Sequence, residues 1–201
     1  MKRRIVLCSD NRHKLEEFRK LFSELLPDAE LVPLRESGFS GEIIENGDSF
    51  EQNAFLKANT VRRQTGDFCI ADDSGLEVDA LDGAPGIYSA RYAGEHGNDE
   101  ANIQKLLSEL KGVPAEARTA RFVCCICAIR PDGENLSVVQ SCEGTILDEM
   151  RGDGRFGYDP VFFYEPFGKT FAELDGIRKN EVSHRGKAMK ELAKNREFFL
   201  K

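Results

Sequence analysis

Residues 68–75 read Phe-Cys-Ile-Ala-Asp-Asp-Ser-Gly, a short apolar run that ends in two carboxylates, a hydroxyl and a glycine. Because burying a carboxylate without a partner is costly, a strand with this ending delivers Asp72 and Asp73 to the mouth of a crevice in an α/β protein. Gly75 permits a tight turn directly afterwards. The same residue types also form ordinary strand-to-turn junctions, so this stretch alone leaves both interpretations open.

The composition is that of an ordinary globular protein, with 40% hydrophobic and 31% charged residues. The 201 residues suit one domain, 1–201, with two lobes. No apolar run approaches the roughly 20 residues that a membrane span needs. Only four apolar residues, 5–8, follow the basic start, which is too few for a signal peptide. We therefore expect a cytoplasmic protein without a membrane partner.

The charge and the cysteines narrow the class further. A net charge of −7 argues against the broad basic surface that binds nucleic acid, although a local cationic cluster still suits a single nucleotide. Three of the six cysteines lie within the apolar segment 121–129, with no second cysteine pair at zinc-finger spacing. Reduced core cysteines are the better interpretation, because free cysteine is among the most buried residue types.

The first half of the chain alternates strands with helices. A buried strand at 4–8 precedes capping residues and an amphipathic helix with Leu15, Phe18, Phe22 and Leu25 on one face. A second strand at 30–34 contains Pro33, which favours an edge position or an early end. A polar loop at 38–47 leads to a helix that begins near Ser49 and closes at Gly66, and the strand 68–75 follows.

The second half has a different pattern. An alternating strand is expected at 76–81, then a helix at 99–110 and two long strands, 119–129 and 136–147, joined by an Asp-Gly turn. A glycine-rich loop at 152–160 precedes a short strand at 161–163, and 183–201 is helical in pattern. The fold class is therefore mixed α/β, with a long twisted central sheet, helices, and two lobes around a substrate cleft.

The junction between the first strand and the first helix is a candidate anion site. Backbone N–H groups and the positive end of the helix dipole point outward there, where Asn11 and Lys14 can flank one ligand. Ordinary helix capping by Ser9 or Asp10 explains the same residues, and spacing alone does not decide between the two.

Six motifs together resemble the inosine triphosphate pyrophosphatase family, also called XTP/dITP diphosphatases. They run over essentially the whole chain in the family's order: Ser9-x-Asn11-x-x-Lys14, Phe50-x-x-Asn53-Ala54-x-x-Lys57-Ala58, Ala71 to Leu76, Gly83-Ala84-Pro85-Gly86 with Ser89 to Tyr92, Phe156 to Pro160, and Ser183 to Gly186. The resemblance implies hydrolysis of ITP, dITP and XTP to the monophosphate and pyrophosphate, with Mg²⁺, by a homodimer.

The resemblance also assigns roles. It implies Asp73 and Lys14 as catalytic residues, with Asp73 the proton acceptor for water, and Glu45, Asp73 and Asp72 as metal ligands. Carboxylates suit Mg²⁺, but neighbouring strand residues point to opposite faces, so Asp72 joins only where the strand already turns. The implied substrate-binding residues are Ser9, Asp10, Asn11, Arg12, His13, Lys14, Ser74, Phe156, Gly157, Tyr158, Asp159, Lys179, His184 and Arg185.

Base selection is implied at His184 and Arg185, which would donate hydrogen bonds to the purine 6-keto oxygen. Such donors face the 6-amino group of adenine without a partner, a mismatch of order 10⁴-fold in specificity. Guanine also carries a 6-keto oxygen, and the residue that rejects GTP is not evident from the motifs.

Two positions depart from the family pattern. Asp10 stands where many relatives have glycine, and we predict that it faces away from phosphate or caps the helix. Gln52 stands where many relatives have Glu, which leaves Glu45 or Glu51 to assist the metal. Two other functions stay open, an aspartate-nucleophile phosphatase that uses Asp73 covalently and a nucleotide-sensing module without turnover.

Overall fold

The computed structural model describes residues 2–153 and 156–200. Its strands form one mixed sheet of seven strands in the order β2-β1-β3-β4-β5-β6-β7. The strands are β1 (Arg3–Leu7), β2 (Ala29–Pro33), β3 (Phe68–Val78), β4 (Thr119–Ile129), β5 (Asn135–Ile146), β6 (Phe162–Tyr164) and β7 (Lys169–Thr170). The α-helices are α1 (Arg12–Leu25), α2 (Phe50–Thr65), α3 (Asp99–Glu109), α4 (Gly176–Val182), α5 (His184–Ala193) and α6 (Arg196–Leu200).

The sheet combines parallel and antiparallel pairing, as the mixed pattern predicts. β1 runs parallel to both β2 and β3, and β6 is antiparallel to β5 and β7. Pro33 ends β2 at the edge of the sheet, where its missing N–H costs no ladder hydrogen bond. The expected edge position of this strand is confirmed.

The chain divides into two compact units, each with its own hydrophobic core. The first unit comprises 1–73, 124–140 and 185–201, and its core packs α1 and the C-terminal helices on β1 and β3 through Ile5, Phe18, Ile70 and Met189. The second unit comprises 74–123 and 141–184, and its core gathers Leu76, Leu106, Tyr158 and Phe162. The prediction of a substrate cleft stays a prediction.

One predicted turn is wrong. β3 does not end at the aspartates but continues through Ser74 and Gly75 to Val78. The separate strand expected at 76–81 is therefore wrong, because 76–78 complete β3 and Asp79–Leu81 form a 3-10 helix. Gly75 is buried, and it is not among the glycines with positive φ. Turn-forming residues are overridden here because strand pairing and burial outweigh a local turn preference.

Most other expected elements are confirmed. Ser49 caps α2, and Gly66 ends it in the left-handed conformation with φ 71°. The Asp-Gly turn closes through a hydrogen bond from Gly133 N to Arg130 O, as the hairpin pattern predicts. The helical pattern after 183 resolves into α5 and α6, while Lys201 at its end lies outside the described residues.

The cysteines and the apolar segments agree with what the sequence predicts for them. All six cysteines are buried thiols, which confirms their assignment to the core. Burial raises the pKa of Cys125 to about 12, so this thiol stays protonated at neutral pH. No helix within 2–153 or 156–200 is long and apolar enough to cross a membrane.

Candidate active site

A buried lysine, Lys57, joins Asp73 on β3 to Glu45 in the loop before α2. Lys57 Nζ lies 2.8 Å from Asp73 Oδ1 and 2.8 Å from Glu45 Oε2. Only 6% of Lys57 and 8% of Asp73 are exposed. The lysine therefore bridges two carboxylates inside the first unit.

The electrostatics give the two carboxylates different character. Burial raises the pKa of Asp73 above its usual value, and the charge of Glu45 adds to this although Lys57 opposes it. Burial acts the same way on Glu45, but the charge and hydrogen bond of Lys57 outweigh it and hold the pKa of Glu45 below its usual value. Asp73 is therefore the more basic of the pair, as a proton acceptor requires.

The same carboxylates fit a hard divalent cation. Asp73 Oδ2 is buried and has no hydrogen-bond partner among the residues that the structure describes. A second ionised carboxylate, Glu45, lies on the other side of Lys57. Oxygen donors of this kind suit Mg²⁺, which takes one or two carboxylates together with waters and substrate phosphates. Within the described ranges no cluster of three or more His, Cys, Asp or Glu side chains forms a ready-made metal cage.

Lys57 is a site residue that sequence reasoning missed. The buried positions of α2 are Phe50, Asn53, Ala54, Lys57, Ala58 and Val61, which follow the helical period. Two polar side chains, Asn53 and Lys57, stand on this otherwise apolar face. A lysine on the buried face of a helix needs buried carboxylate partners, so this signal was readable in the sequence.

The loop that carries Glu45 is fastened to the start of α2. Asn53 Oδ1 accepts from Gly47 N at 2.9 Å, and Gln52 Oε1 accepts from Asp48 N at 2.9 Å. A Cβ on Gly47 would lie 2.7 Å from the Cβ of Gln52, so the close approach requires glycine. The helix thus positions both Lys57 and its partner Glu45.

Asp72 belongs to a second set of contacts in the same unit. Its Oδ2 accepts from Arg185 Nη2 at 3.0 Å and lies 3.1 Å from Lys14 Nζ, while Arg185 Nη1 also donates to Glu17. Burial opposes ionisation of Asp72, yet the charges of Lys14 and Arg185 hold its pKa well below the usual range. Because β3 runs straight through both aspartates, Asp72 and Asp73 bind different cations.

The junction before α1 has a capped helix N-terminus, and no acidic residue in the first turn offsets the positive end of the helix dipole. Asn11 Oδ1 accepts from Lys14 N at 3.1 Å as the N-cap, and Ser9 Oγ accepts from Asn11 N at 3.2 Å. Asp10 is exposed, and the first turn of α1 contains no acidic residue. The remaining two predicted residues of this loop, Arg12 and His13, are exposed on the first turn.

The second unit contains the predicted base-binding segment as a tight turn. Asp159 N donates to Phe156 O at 3.2 Å, and Gly157 has φ 54°. Asp159 Oδ2 accepts from Lys179 Nζ at 2.6 Å, and the same ammonium lies 5.1 Å from the centroid of Phe156. Gly154 and Arg155, which precede this turn, lie outside the described residues.

Lys179 is delivered by α4, a helix that the sequence pattern did not predict. Asp175 caps α4 by accepting from Arg178 N at 2.8 Å, and Lys179 faces inward with 9% exposure. The short helix begins with glycine and carries few apolar residues, which explains why periodicity did not reveal it.

His184 packs in an aromatic stack of the second unit. Its ring lies 4.8 Å from that of Phe122 at an angle of 18°, and Phe122 in turn stacks on Phe171 at 5.8 Å. Only 5% of His184 is exposed. The stack fixes the plane of the imidazole, so its nitrogen atoms point in defined directions. Ser74, the remaining predicted residue, is half-buried on β3 beside Asp73.

Comparison with known sequences finds relatives that match nearly the full length of the chain. A protein of Clostridium perfringens named dITP/XTP pyrophosphatase is 44% identical over 205 residues, covering 99% of this chain and 100% of that protein. A protein of Desulforamulus reducens with the same name is 48% identical over 187 residues, covering 93% of this chain and 92% of that protein.

Solved structures match the fold over nearly its full length. The Ham1 protein of Staphylococcus aureus has a TM-score of 0.87 and 40% identity, covering 97% of this chain and 98% of that one. The nucleoside-triphosphatase, or dITP/XTP pyrophosphatase, of Mycobacterium abscessus has a TM-score of 0.76 and 42% identity, covering 94% and 97%. A sequence model described as the Ham1 family matches residues 5–195, and the chain belongs to that family.

Proposed function

We propose that this protein hydrolyses the nonstandard purine nucleoside triphosphates ITP, dITP and XTP to the monophosphate and pyrophosphate. The observation that carries the proposal is the buried Asp73, whose pKa is raised and whose second oxygen stands without a hydrogen-bond partner in the described part of the chain. The curated relatives that are 44–48% identical to it bear the name dITP/XTP pyrophosphatase.

The triphosphate would bind at the first unit. The acid-free first turn of α1 offers backbone N–H groups and the positive end of the helix dipole, both of which favour phosphate. Lys14 adds a point charge that Asp72 holds in place at 3.1 Å. Asp10 is exposed, so its carboxylate can remain in solvent while Ser9 and Asn11 order the backbone.

Mg²⁺ would be held by Glu45 and Asp73. When bound, it would supply positive charge to the phosphate oxygens as negative charge develops on the leaving pyrophosphate. Lys57 keeps the two carboxylates close together without the metal, since its ammonium bridges them at 2.8 Å on each side. Asp72, already committed to Lys14 and Arg185, would serve by positioning those cations.

Asp73 would act as the general base. The water oxygen forms a bond to phosphorus, the bond to the leaving pyrophosphate breaks, and the water proton passes to a carboxylate oxygen of Asp73. A raised pKa makes that oxygen a better proton acceptor at neutral pH, and general-base catalysis of this kind contributes about 10²–10⁴-fold.

The base and sugar would bind at the second unit. Phe156 offers a ring for stacking, and Lys179 and Asp159 place a buried charged pair beside it. His184, its plane fixed by Phe122, would donate to the 6-keto oxygen. The family resemblance implies the same role for Arg185. Hydrogen-bond donors that face position 6 of the purine suit hypoxanthine and xanthine, and they leave the 6-amino group of adenine without a partner. We further propose a homodimer, as the family resemblance implies.

Product analysis tests the reaction class. Incubation of ITP with Mg²⁺ and the protein is expected to release one pyrophosphate for each IMP formed. Orthophosphate in place of pyrophosphate, together with a phosphorylated aspartate trapped by acid quench, would instead establish an aspartate-nucleophile phosphatase. If the protein binds ITP but forms no product, it is a nucleotide-sensing module and not an enzyme.

A further inference from the structure

A carboxylate on a different element reaches the backbone of the base-binding turn. Asp99 Oδ2 accepts a hydrogen bond from Gly157 N at 2.7 Å, across 58 positions of sequence. Asp99 is the first residue of α3, and both residues belong to the second unit. Sequence analysis assigns Asp99 no role beyond the start of a helix.

The geometry of the turn explains why this bond matters. Gly157 adopts φ 54°, a left-handed conformation, and its N–H takes no part in the turn's own closing bond, which joins Asp159 N to Phe156 O. An external acceptor is therefore needed to satisfy that N–H. Asp99 provides an ionised one, and hydrogen bonds to charged groups are stronger than neutral ones.

Asp99 is itself held in place by α3. Asn98 caps the helix, with its Oδ1 accepting from Ala101 N at 3.1 Å. One turn later Asn102 Oδ1 accepts from Ala93 N at 2.7 Å, which fixes the same helix face to the preceding loop. The carboxylate thus presents a rigid anchor to the turn rather than a mobile surface charge.

A second bond fixes the next residue of the turn. Tyr158 is 4% exposed, and its hydroxyl donates to Ser89 O at 2.9 Å. The two central residues, Gly157 and Tyr158, are thereby tied to the scaffold of the second unit. The outer two, Phe156 and Asp159, both contact Lys179.

We propose that Asp99 is a positioning residue for nucleotide recognition, which holds the turn 156–159 so that Phe156 and Asp159 meet the base and sugar. This inference rests on the proposed function and deepens it, because it assigns the turn's geometry to a residue outside the family motifs. Asp99 touches no reacting atom, so its loss weakens binding of the nucleoside part while the chemical step is preserved.

The test compares Asp99→Ala with Asp99→Asn, which keeps an acceptor oxygen at the same place. Asp99→Ala is expected to raise KM for ITP about tenfold with kcat changed by less than about twofold, and Asp99→Asn to restore KM to within about threefold of the wild type. The dissociation constant for IMP, measured by calorimetry, should rise in parallel because IMP carries the base and sugar without the triphosphate.

Glu100→Ala is the matched control. Glu100 lies in the same first turn of α3 and makes the same contribution to the helix dipole, but it is exposed. Its KM and its IMP affinity should match those of the wild type. Asp99→Ser, whose hydroxyl is too short to reach Gly157 N, provides a second loss variant if Asp99→Ala does not fold.

Several outcomes would overturn the inference. Unchanged KM and IMP affinity in folded Asp99→Ala or Asp99→Ser would do so, as would an equal loss in Glu100→Ala, or a fall in kcat alone. A wild-type protein that binds IMP but releases no pyrophosphate from any triphosphate would refute the proposed function instead, and the IMP affinities of the variants would still decide the role of Asp99.

Discussion

Lys57 is the residue that sets the chemistry of the candidate active site. Its ammonium bridges Glu45 and Asp73, and their charges raise the pKa of Lys57 despite the burial that opposes it. The lysine therefore remains protonated and holds two carboxylates together that would otherwise repel each other. A divalent cation also binds favourably between two carboxylates. Glu45, Lys57 and Asp73 therefore suit an enzyme that acts on phosphate groups with a metal ion.

The proposed role of Asp73 as general base predicts a loss of turnover in one substitution. Asp73→Asn keeps an oxygen for Lys57 but cannot accept the water proton, so we expect kcat for ITP to fall by about 10²–10⁴-fold. The midpoint of thermal unfolding should stay close to that of the wild type. Asp82→Asn is a suitable control, because Asp82 is exposed and Asn tolerates its φ of 51°. Turnover in Asp73→Asn that matches this control would remove Asp73 as the base.

The pH dependence of turnover tests the coupling between Asp73 and Lys57. Asp73 must be deprotonated to act, so its raised pKa places the acid limb of the kcat profile above the usual carboxylate value of about 3.9. Because Lys57 lowers the pKa of Asp73, Lys57→Met should move that limb to higher pH by about one unit or more.

The measurement is kcat for ITP against pH at fixed Mg²⁺. Lys111→Met, which removes an exposed lysine, should leave the profile unchanged. A limb that stays in place, or moves to lower pH, in Lys57→Met would contradict the assigned electrostatics.

Among the elements, β3 directs Asp72 and Asp73 to opposite faces because it is a regular strand. A strand sends neighbouring side chains to opposite faces, and β3 continues from Phe68 to Val78 without a turn. Asp72 thereby meets Lys14 and Arg185, while Asp73 meets Lys57. An uninterrupted strand thus supplies one carboxylate to each of two cationic groups.

Helix α2 positions Glu45 through its first turn, and this contact can be tested. Asn53→Ala leaves the N–H of Gly47 without its partner and frees the loop that carries Glu45. We expect the Mg²⁺ concentration for half-maximal turnover to rise several-fold, since losing a half-buried hydrogen bond of this kind costs about 0.5–1.5 kcal/mol. The measurement is a magnesium titration of ITP turnover.

Gln52→Ala is the matched control for this titration. Gln52 makes the same kind of bond to the next backbone N–H, that of Asp48, but in an exposed position. It should change the Mg²⁺ requirement little. An effect of Asn53→Ala no larger than that of Gln52→Ala would count against the contact between Asn53 and Gly47 as the one that positions Glu45.

Local patterns identified most elements but not the details that define the site. The amphipathic spacing of α1, the caps of α2 and the Asp-Gly hairpin are local signals, and the structure confirms them. The turn expected at Gly75 is overridden by strand pairing and burial, whereas α4 was missed because it carries few apolar residues. The contact of Asp99 with Gly157 joins residues 58 positions apart, which no local pattern reports.

At the scale of the whole molecule, the candidate residues divide between two separately packed units. The first contains the carboxylates and lysines suited to a triphosphate and a metal, and the second contains the aromatic rings and the turn suited to a base. The net charge of −7 does not reveal the buried cations, which are Lys57 and Arg185 in the first unit and Lys179 in the second. Composition therefore argues against a nucleic-acid surface but says nothing about where a site lies, whereas the six motifs in register predict the candidate residues.

Hydrolysis of ITP compared with ATP decides whether this protein acts on nonstandard purine nucleoside triphosphates. Pyrophosphate release should be measured for both nucleotides under identical Mg²⁺ concentrations, with kcat/KM as the readout and the monophosphate quantified in parallel. We expect stoichiometric IMP and pyrophosphate from ITP, with kcat/KM for ATP lower by about 10⁴-fold. Equal kcat/KM for ITP and ATP, or no pyrophosphate from ITP, would contradict this expectation.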